Sequence, residues 1–271
     1  IPISVGDRVK LSLEGNDYLI NEILQRKNYI IRKSVNLSKQ VHIIASNIDQ
    51  AFLIVTLVSP FTSTGFIDRF LVTAEAYQVP TIIVFNKVDL YDEFDRAYHD
   101  EVVKVYSDAG YECVEVSALN QQNISLLKER MKDNVTLLSG HSGVGKSTLV
   151  NAIDPNLDLL TQQVSHAHQK GMHTTTFAEM FELDFGGFII DTPGIKGLGL
   201  VEIEDSELAD YFPEMLAFKG QCKFHNCKHL NEPKCAVKSA LDTGEIHLIR
   251  YDSYISILED DGNQYRESKY H

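Results

Sequence analysis

The chain has 271 residues, a formal net charge of −13 and 44% hydrophobic residues. That length allows two or three domains with a sizeable core, and the acidic balance argues against tight nonspecific binding to nucleic acid. The longest apolar-rich run, Ala51–Val58, is far too short to cross a bilayer. No signal-peptide pattern opens the chain; a cytoplasmic monomer with no membrane partner is the expectation. Ile1 is not an initiator methionine, which reads as a trimmed start.

The charge is unevenly spread. Residues 23–48 contain no acid, while Arg26, Lys27, Arg32, Lys33 and Lys39 carry +5, and residues 219–238 hold five lysines against Glu232. Two basic segments on an acidic body suit an anionic partner gripped at defined places, although solvated surface lysines would leave the same pattern. Of the four cysteines, Cys113 stands alone and reads as a small buried hydrophobe. The other three cluster near a histidine, which points to metal rather than disulfides.

Val5–Leu13 alternates after a turn, and Asp17–Leu24 and Tyr29–Arg32 read as two further strands. Residues 1–45 are therefore expected to form a small β-barrel. Three strands are too few to close one, so its N-terminal part is expected to be missing. From Asn47 the pattern changes. Asp49–Val58 is a near-continuous apolar strand, as in a buried parallel sheet. Strands at Thr81–Phe85, Glu112–Val116, Val135–Leu138, Phe177–Leu183 and Gly187–Ile190 alternate with helices at Ile67–Tyr77, Glu93–Ala109 and Ile124–Met131. Residues 46–200 thus read as a doubly wound α/β domain with ligand loops at the strand C-termini. Residues 201–271 follow as a third unit, with helices at Ser206–Phe212, Ala236–Leu241 and Ile246–Leu258 and a frayed end from Asp260.

Gly140-His141-Ser142-Gly143-Val144-Gly145-Lys146-Ser147 fits G-x-x-x-x-G-K-S. It follows a strand and precedes Thr148–Ala152, a first helical turn, which is the context the motif needs. The glycines let backbone N–H groups turn inward around phosphate oxygens, and the helix N-terminus adds partial positive charge. Lys146 is the candidate for the β and γ phosphates and the Ser147 hydroxyl for Mg²⁺. His141 is expected to contribute its backbone only. Asn86-Lys87-Val88-Asp89, at a strand end, has the form of a base-reading loop. The Asp89 carboxylate can accept from the N1–H and 2-amino group of guanine, which adenine cannot supply, and unpaired polar groups discriminate strongly. The Asn86 amide is expected at the purine N7/O6 edge, the Lys87 stem over the ring, and a backbone N–H of Ser117-Ala118 near O6.

Asp191-Thr192-Pro193-Gly194 fits D-x-x-G: Asp191 would hold Mg²⁺ through water, and the Gly194 N–H would sense the γ-phosphate. An ordinary turn has the same residues. Between the phosphate motifs lies Gly171-Met172-His173-Thr174-Thr175-Thr176, where a threonine can complete Mg²⁺ coordination; Thr175 is favoured, Thr174 next. Position 195 is Ile where a Gln orients the attacking water in Ras-like enzymes. Turnover is then slow, or another group helps. His173 is the candidate helper, able to position or deprotonate water; shaping the loop would explain it equally well. Cys222-x4-Cys227-x-His229-x5-Cys235 supplies three thiolates and an imidazole, a closed tetrahedral shell for one structural Zn²⁺. His225 competes as a nitrogen ligand but crowds Cys227. Reduced, unliganded cysteines are the plainer alternative.

The motifs run base loop, Ser-Ala, phosphate loop, threonine loop, D-x-x-G, the reverse of the usual halves and so a circular permutation. The γ-phosphate-sensing loop then leads directly into the metal segment. The chain resembles the circularly permuted ribosome-assembly GTPases of the RsgA/YjeQ type. The resemblance runs nearly the whole length: V-G-D-R-V at 5–9, A-S-N-I-D at 45–49, G-F-I-D-R-F at 65–70, N-K-V-D, G-H-S-G-V-G-K-S, H-T-T-T, D-T-P-G and C-x4-C-x-H-x5-C followed by A-V-K. It implies an N-terminal OB-fold, a permuted P-loop GTPase domain and a C-terminal zinc domain. It also implies GTP/GDP, Mg²⁺ and Zn²⁺ as cofactors, hydrolysis stimulated by the small ribosomal subunit (its RNA and proteins) late in assembly, and release afterwards. The family's proposed catalytic histidine falls on His173. A permuted GTPase acting on the large subunit, or a non-hydrolysing guanine-nucleotide switch that binds RNA, are the alternatives; Ile195 keeps the second open.

Overall fold

The computed structural model describes residues 2–33, 41–157, 178–191 and 203–259. Its N-terminal part is two antiparallel pairs: β1 (Val9–Glu14) with β2 (Asp17–Ile23), and β3 (Tyr29–Lys33) with β4 (Val41–Ser46). The fourth strand escapes a pattern search because Val41-His42-Ile43-Ile44-Ala45 does not alternate. A bridge from Val5 to Ala45 joins the pairs, and Asp7 joins them further. Arg26 donates to both Asp7 carboxylate oxygens at 2.6 and 2.7 Å, and the Ser46 hydroxyl (2.7 Å) and Ser4 N–H (2.9 Å) donate to the same group.

Among the described residues, six strands form the central sheet, in the order β7 (Glu112–Glu115), β6 (Thr81–Phe85), β5 (Gln50–Val55), β8 (Val135–Ser139), β10 (Phe188–Asp191), β9 (Glu179–Glu182). Only β9 runs antiparallel to its neighbour. Every residue of the central β5 is buried, as a parallel strand covered on both faces requires. Its side chains alternate between two cores. Leu53 and Val55 join Ile83, Phe85 and Leu137 in the core that also takes α1 (Thr64–Ala76) and α2 (Glu93–Asp108). Phe52 and Ile54 join Val84, Leu138 and Ile189 in the core over α3 (Ile124–Met131) and α4 (Lys146–Ile153). Cys113 is half-buried, and burial pushes its thiol up to about 11, in keeping with an inert apolar role.

The C-terminal part packs α5 (Pro213–Leu216), α6 (Ala236–Thr243) and α7 (Leu248–Leu258) around Leu208, Phe212, Met215, Val237, Tyr254 and Ile257. The helix expected over Ser206–Phe212 is a single 3-10 turn, Leu208–Tyr211. Pro213 then starts α5, as its preset φ favours at a first helical position. Gly244, at φ +78°, ends α6. The third core also takes Val72 of α1, and Arg250 of α7 fixes this contact. Its guanidinium, 1% exposed, donates to Asp68 of α1 at 2.6 Å and to Glu214 at 2.6 and 3.2 Å, between the rings of Phe212, Tyr106 and Tyr111. Burial opposes its charge, but the two carboxylates prevail and raise its pKa. No helix among the described residues is long and apolar enough to cross a membrane.

The Arg26 fork beside Asp7, reinforced by Ser46 and Ser4, holds that carboxyl at about 2 rather than 3.8. Because the folded value is the depressed one, the stabilisation is complete above the unfolded value near 4 and is lost as pH falls towards 2; it amounts to about 2 kcal/mol. Denaturant titrations of Asp7→Asn against the parent should show a stability gap that is constant above about pH 4 and shrinks between about pH 4 and 2.

Candidate nucleotide site and metal centre

β5, β6, β7, β8 and β10 run parallel, so their C-terminal ends share one edge of the sheet. The segments leaving that edge are 56–63, Asn86–Asp89, Val116–Ala118, Gly140–Gly145 and Asp191. The sheet topology thus brings the base-loop, Ser-Ala and phosphate motifs together from positions spread between Asn86 and Ser147. His173, Thr174, Thr175, Gly194 and Ile195 lie outside the described residues.

The phosphate loop is cut to glycine. Gly140, Gly143 and Gly145 all have positive φ (147°, 87° and 92°). A Cβ on Gly140 would collide with the Ile54 carbonyl, and one on Gly145 would sit 2.6 Å from the Asn86 Nδ2. Val144 buries its side chain in the core and its carbonyl accepts from Asn86, so any phosphate contact there comes from its N–H. Ser142, Gly143, Ser147 and Thr148 are exposed at the mouth. Lys146 opens α4 and donates to the carbonyls of Gly140 (2.5 Å) and His141 (3.0 Å). Burial lowers its pKa while Asp191, at the end of β10, opposes the shift. An ammonium ringed by neutral carbonyls at a helix N-terminus is a ready partner for phosphate oxygens. His141 does more than lend its backbone: its Nε2 meets the Thr62 hydroxyl at 2.6 Å and its ring packs edge-on against Phe66 at 5.4 Å.

Asn86 has contacts within the protein that its motif did not announce. It is 1% exposed; Nδ2 donates to Val144 O at 2.8 Å and Oδ1 accepts from the Ala118 N–H at 3.2 Å. The side chain ties the base loop to the phosphate loop and to Ser117-Ala118, because a buried amide must satisfy both ends within the protein. Lys87 adopts the left-handed conformation (φ 64°, ψ 32°), and its Nζ reaches Ser59 O (2.6 Å) and Gly143 O (2.8 Å). Its stem crosses Gly145. Asp89 stands exposed on the 3-10 turn Val88–Leu90. Ser117 is buried and its hydroxyl accepts from Asn120 N–H at 3.1 Å.

The strand expected over Asp49–Val58 ends at Val55, and the turn that follows, Thr56–Ser63, carries contacts that no motif announced. It supplies Ser59 O to Lys87, Thr62 to His141, and the Pro60 ring that a Cβ on Gly143 would touch at 3.2 Å. Its internal bonds, Thr62 N–H to Thr56 O and Thr56 Oγ1 to Pro60 O, make it a closed turn. The Ser-Pro-Phe-Thr composition was the available signal.

In the C-terminal part, ligand atoms of Cys222, Cys227, His229 and Cys235 all lie within 4.8 Å of one another. Cys222 Sγ to Cys235 Sγ is 3.9 Å, and His229 Nδ1 is 3.6 and 3.3 Å from these two sulfurs. A tetrahedral zinc with thiolate bonds of about 2.3 Å needs sulfur–sulfur edges of about 3.8 Å, so the donor set fits. His225 is exposed and outside the cluster. N–H groups of Ala236 (3.3 Å) and Lys238 (3.4 Å) point at Cys222 and Cys235 sulfurs. Tyr251 and Tyr254 hydroxyls hold the carbonyls of His229 and Lys228 at 2.6 and 2.8 Å.

The basic segments are less available than their composition suggests. Arg26 is buried on Asp7, Lys27 pairs with Asp49, Lys219 with Asp210 and Lys228 with Asp205. The three lysine pairs are exposed and worth about 0–1 kcal/mol each, so a polyanion can displace them; the Arg26 pair cannot open without cost.

The RsgA GTPase family profile matches residues 23–201. The chain belongs to the RsgA GTPase family. A relative from Christiangramia forsetii, named small ribosomal subunit biogenesis GTPase RsgA, is 54% identical over 273 residues, covering 99% of this chain and 87% of the relative. A protein of the same name from Bacteroides fragilis is 53% identical over 261 residues, covering 96% and 84%. Among solved structures, YjeQ from Thermotoga maritima superposes with a TM-score of 0.79 at 39% identity, over 96% of this chain and 84% of that one. YloQ, described as a circularly permuted GTPase, gives 0.76 at 32% identity, over 100% and 84%. The fold is accordingly that of a circularly permuted GTPase, and the chain is a GTP hydrolase.

Asn86→Ala should cost at least about 2 kcal/mol of stability, because the Val144 carbonyl and Ala118 N–H would lose their partner inside the protein. Asp89→Ala, at an exposed position, should cost less than about 0.5 kcal/mol; urea titrations of the two variants check the contrast.

Proposed function

We propose that this GTPase acts in late maturation of the small ribosomal subunit, as its curated relatives are named to do. It binds the subunit with GTP, hydrolyses it there and leaves with GDP in the cytoplasm as a monomer. The observation that carries the nucleotide part is the glycine-lined loop: Lys146 at its floor, Asn86 pinning it to the base loop, and Asp89 exposed beside it. Lys146 and the N–H groups of Gly140–Thr148 hold the phosphates. Asp89 accepts from the guanine edge, the Ala118 segment lies at O6, and Lys87 covers the ring. Ser147 and Thr175 bind Mg²⁺, with Asp191 acting through water; the ion neutralises charge on the transferring phosphate. His173 is assigned the role of positioning the attacking water, which Ile195 cannot do, and the Gly194 N–H senses the γ-phosphate. The three units, 1–45, 46–200 and 201–271, divide the work into RNA contact, hydrolysis and a zinc-stapled grip.

Single-turnover hydrolysis tests this directly. Small subunits should accelerate it at least about tenfold over an unaided rate of roughly 10⁻⁴ to 10⁻² s⁻¹. Acceleration by large subunits instead, or by neither, would overturn the assignment. Lys146→Ala should abolish nucleotide binding or turnover, and Asp89→Asn should shift preference towards xanthine, which carries a carbonyl at C2.

The Cys222, Cys227, His229 and Cys235 cluster is assigned one structural Zn²⁺. Elemental analysis should find about one zinc per chain. Stripping it with a strong chelator should remove several kcal/mol from a segment with only a small core of its own, seen as loss of helical signal from residues 203–259. Full retention of structure without zinc would reject the role.

A further inference from the structure

The front of the base loop is held by the phosphate loop, through Asn86 and Lys87. Its back is held by a different group. Arg96, in the first turns of α2, sends Nη2 to the Val88 carbonyl at 3.2 Å and Nη1 to Glu115 Oε2 at 2.8 Å. Val88 lies between Lys87 and the base-reading Asp89. Glu115 ends β7, just before the Val116–Ala118 segment. The Val88 N–H already reaches Val116 O at 3.3 Å, so the fork closes a bracket around both loops that would face the base. The guanidinium also sits 5.1 Å from the Tyr91 ring centroid. Tyr91 packs on His99 at 5.4 Å, and His99 packs edge-on against Phe85 at 5.0 Å, with its Nε2 3.8 Å from the other Glu115 oxygen.

We infer that Arg96 is a positioning residue for base recognition: it strains the Val88–Leu90 turn into the register that presents Asp89 to the guanine N1–H and 2-amino group. The turn needs such a restraint. Lys87 occupies the left-handed region, which costs a non-glycine residue free energy that the surroundings must offset. Asp89 itself is exposed, and among the described residues no hydrogen bond or ion pair holds its carboxylate. Its placement therefore depends on the backbone on either side, and bidentate hydrogen bonding tolerates little displacement. A planar fork suits the task because it holds a carbonyl and a carboxylate in fixed directions at once, a rigidity that a lysine ammonium on its flexible stem lacks. Arg96 and Glu115 are each about two-fifths exposed, at 42% and 40%, so removing one strands no buried charge. The sequence gives no hint of this, since Arg96 reads as an ordinary charge on the outer face of a helix.

This role presupposes that Asp89 reads guanine. The test is calorimetric binding of GDP, IDP and ADP to the parent, Arg96→Ala and Arg96→Lys, with thermal denaturation confirming that each is folded. IDP lacks only the 2-amino group. Arg96→Ala should weaken GDP about tenfold and IDP much less, so that the GDP-to-IDP preference falls by at least about threefold. Arg96→Lys should fall between the two. Hydrolysis at saturating GTP should stay within about twofold of the parent, since the chemistry is untouched. In an Asp89→Asn background, Arg96→Ala should change GDP affinity less than about twofold, the non-additivity of groups acting in series. A folded Arg96→Ala with an unaltered GDP-to-IDP ratio overturns the inference while leaving the base-reading role intact. A parent that does not prefer GDP over ADP removes both.

Discussion

One buried carboxamide holds the nucleotide edge of the sheet together. Asn86 donates to the phosphate loop at Val144 and accepts from Ala118, so three loops that leave three different strands share a single rigid link. The Lys87 ammonium and the Val88–Val116 hydrogen bond add to this link, which a glycine-rich loop needs most. The Gly145 position shows how tight the link is, since a methyl group there would meet the Asn86 amide. Preorganisation of this kind matters because binding energy spent on ordering loops is lost to affinity.

A second link, of a different kind, joins the C-terminal helices to α1. Arg250 and its two carboxylates are almost fully excluded from water. Replacing them with apolar groups of matching shape would be close to neutral, whereas removing one partner would be costly, about 3–5 kcal/mol. What the triad secures is geometry: α7 can seat on α1 in one register. α1 begins at the turn whose Thr62 meets His141 of the phosphate loop, and it carries Asp68 and Val72 to the third core. The same helix thus touches both the phosphate loop's support and the C-terminal core that carries the cysteine cluster. A circular permutation makes that arrangement possible. Among the described residues, the strand before α1 is the sheet's first in chain order and the strand that ends at Asp191 its last.

The acidic surface and the local lysines are compatible. A net charge of −13 disfavours indiscriminate attachment to polyanions, while exposed lysine–carboxylate pairs at 27, 219 and 228 can exchange partners at small cost. Arg26 does not belong with them. Its bidentate pair with Asp7 is a structural element joining the two N-terminal strand pairs.

The period-2 and strand–helix patterning and the local motifs were legible because they depend on near neighbours. Gly140–Ser147 needs only a strand before it and a helix after it, and Cys222–Cys235 closes its donor set within fourteen residues. Strand β4 was missed because Val41–Ala45 does not alternate, although its partner is the strand just before it. The side-chain roles of Asn86, His141 and Lys87 were beyond reach for another reason: each bonds to a loop more than twenty residues away, which only the parallel order of the sheet brings near. Composition could count Arg26 and Arg250 as charges, yet it could not tell that both are buried in ion pairs. The chain alone determined which chemistry its motifs can do. Tertiary structure decided which polar groups face one another, because hydrogen bonding is directional and short-ranged and depends on where the backbone has carried each group.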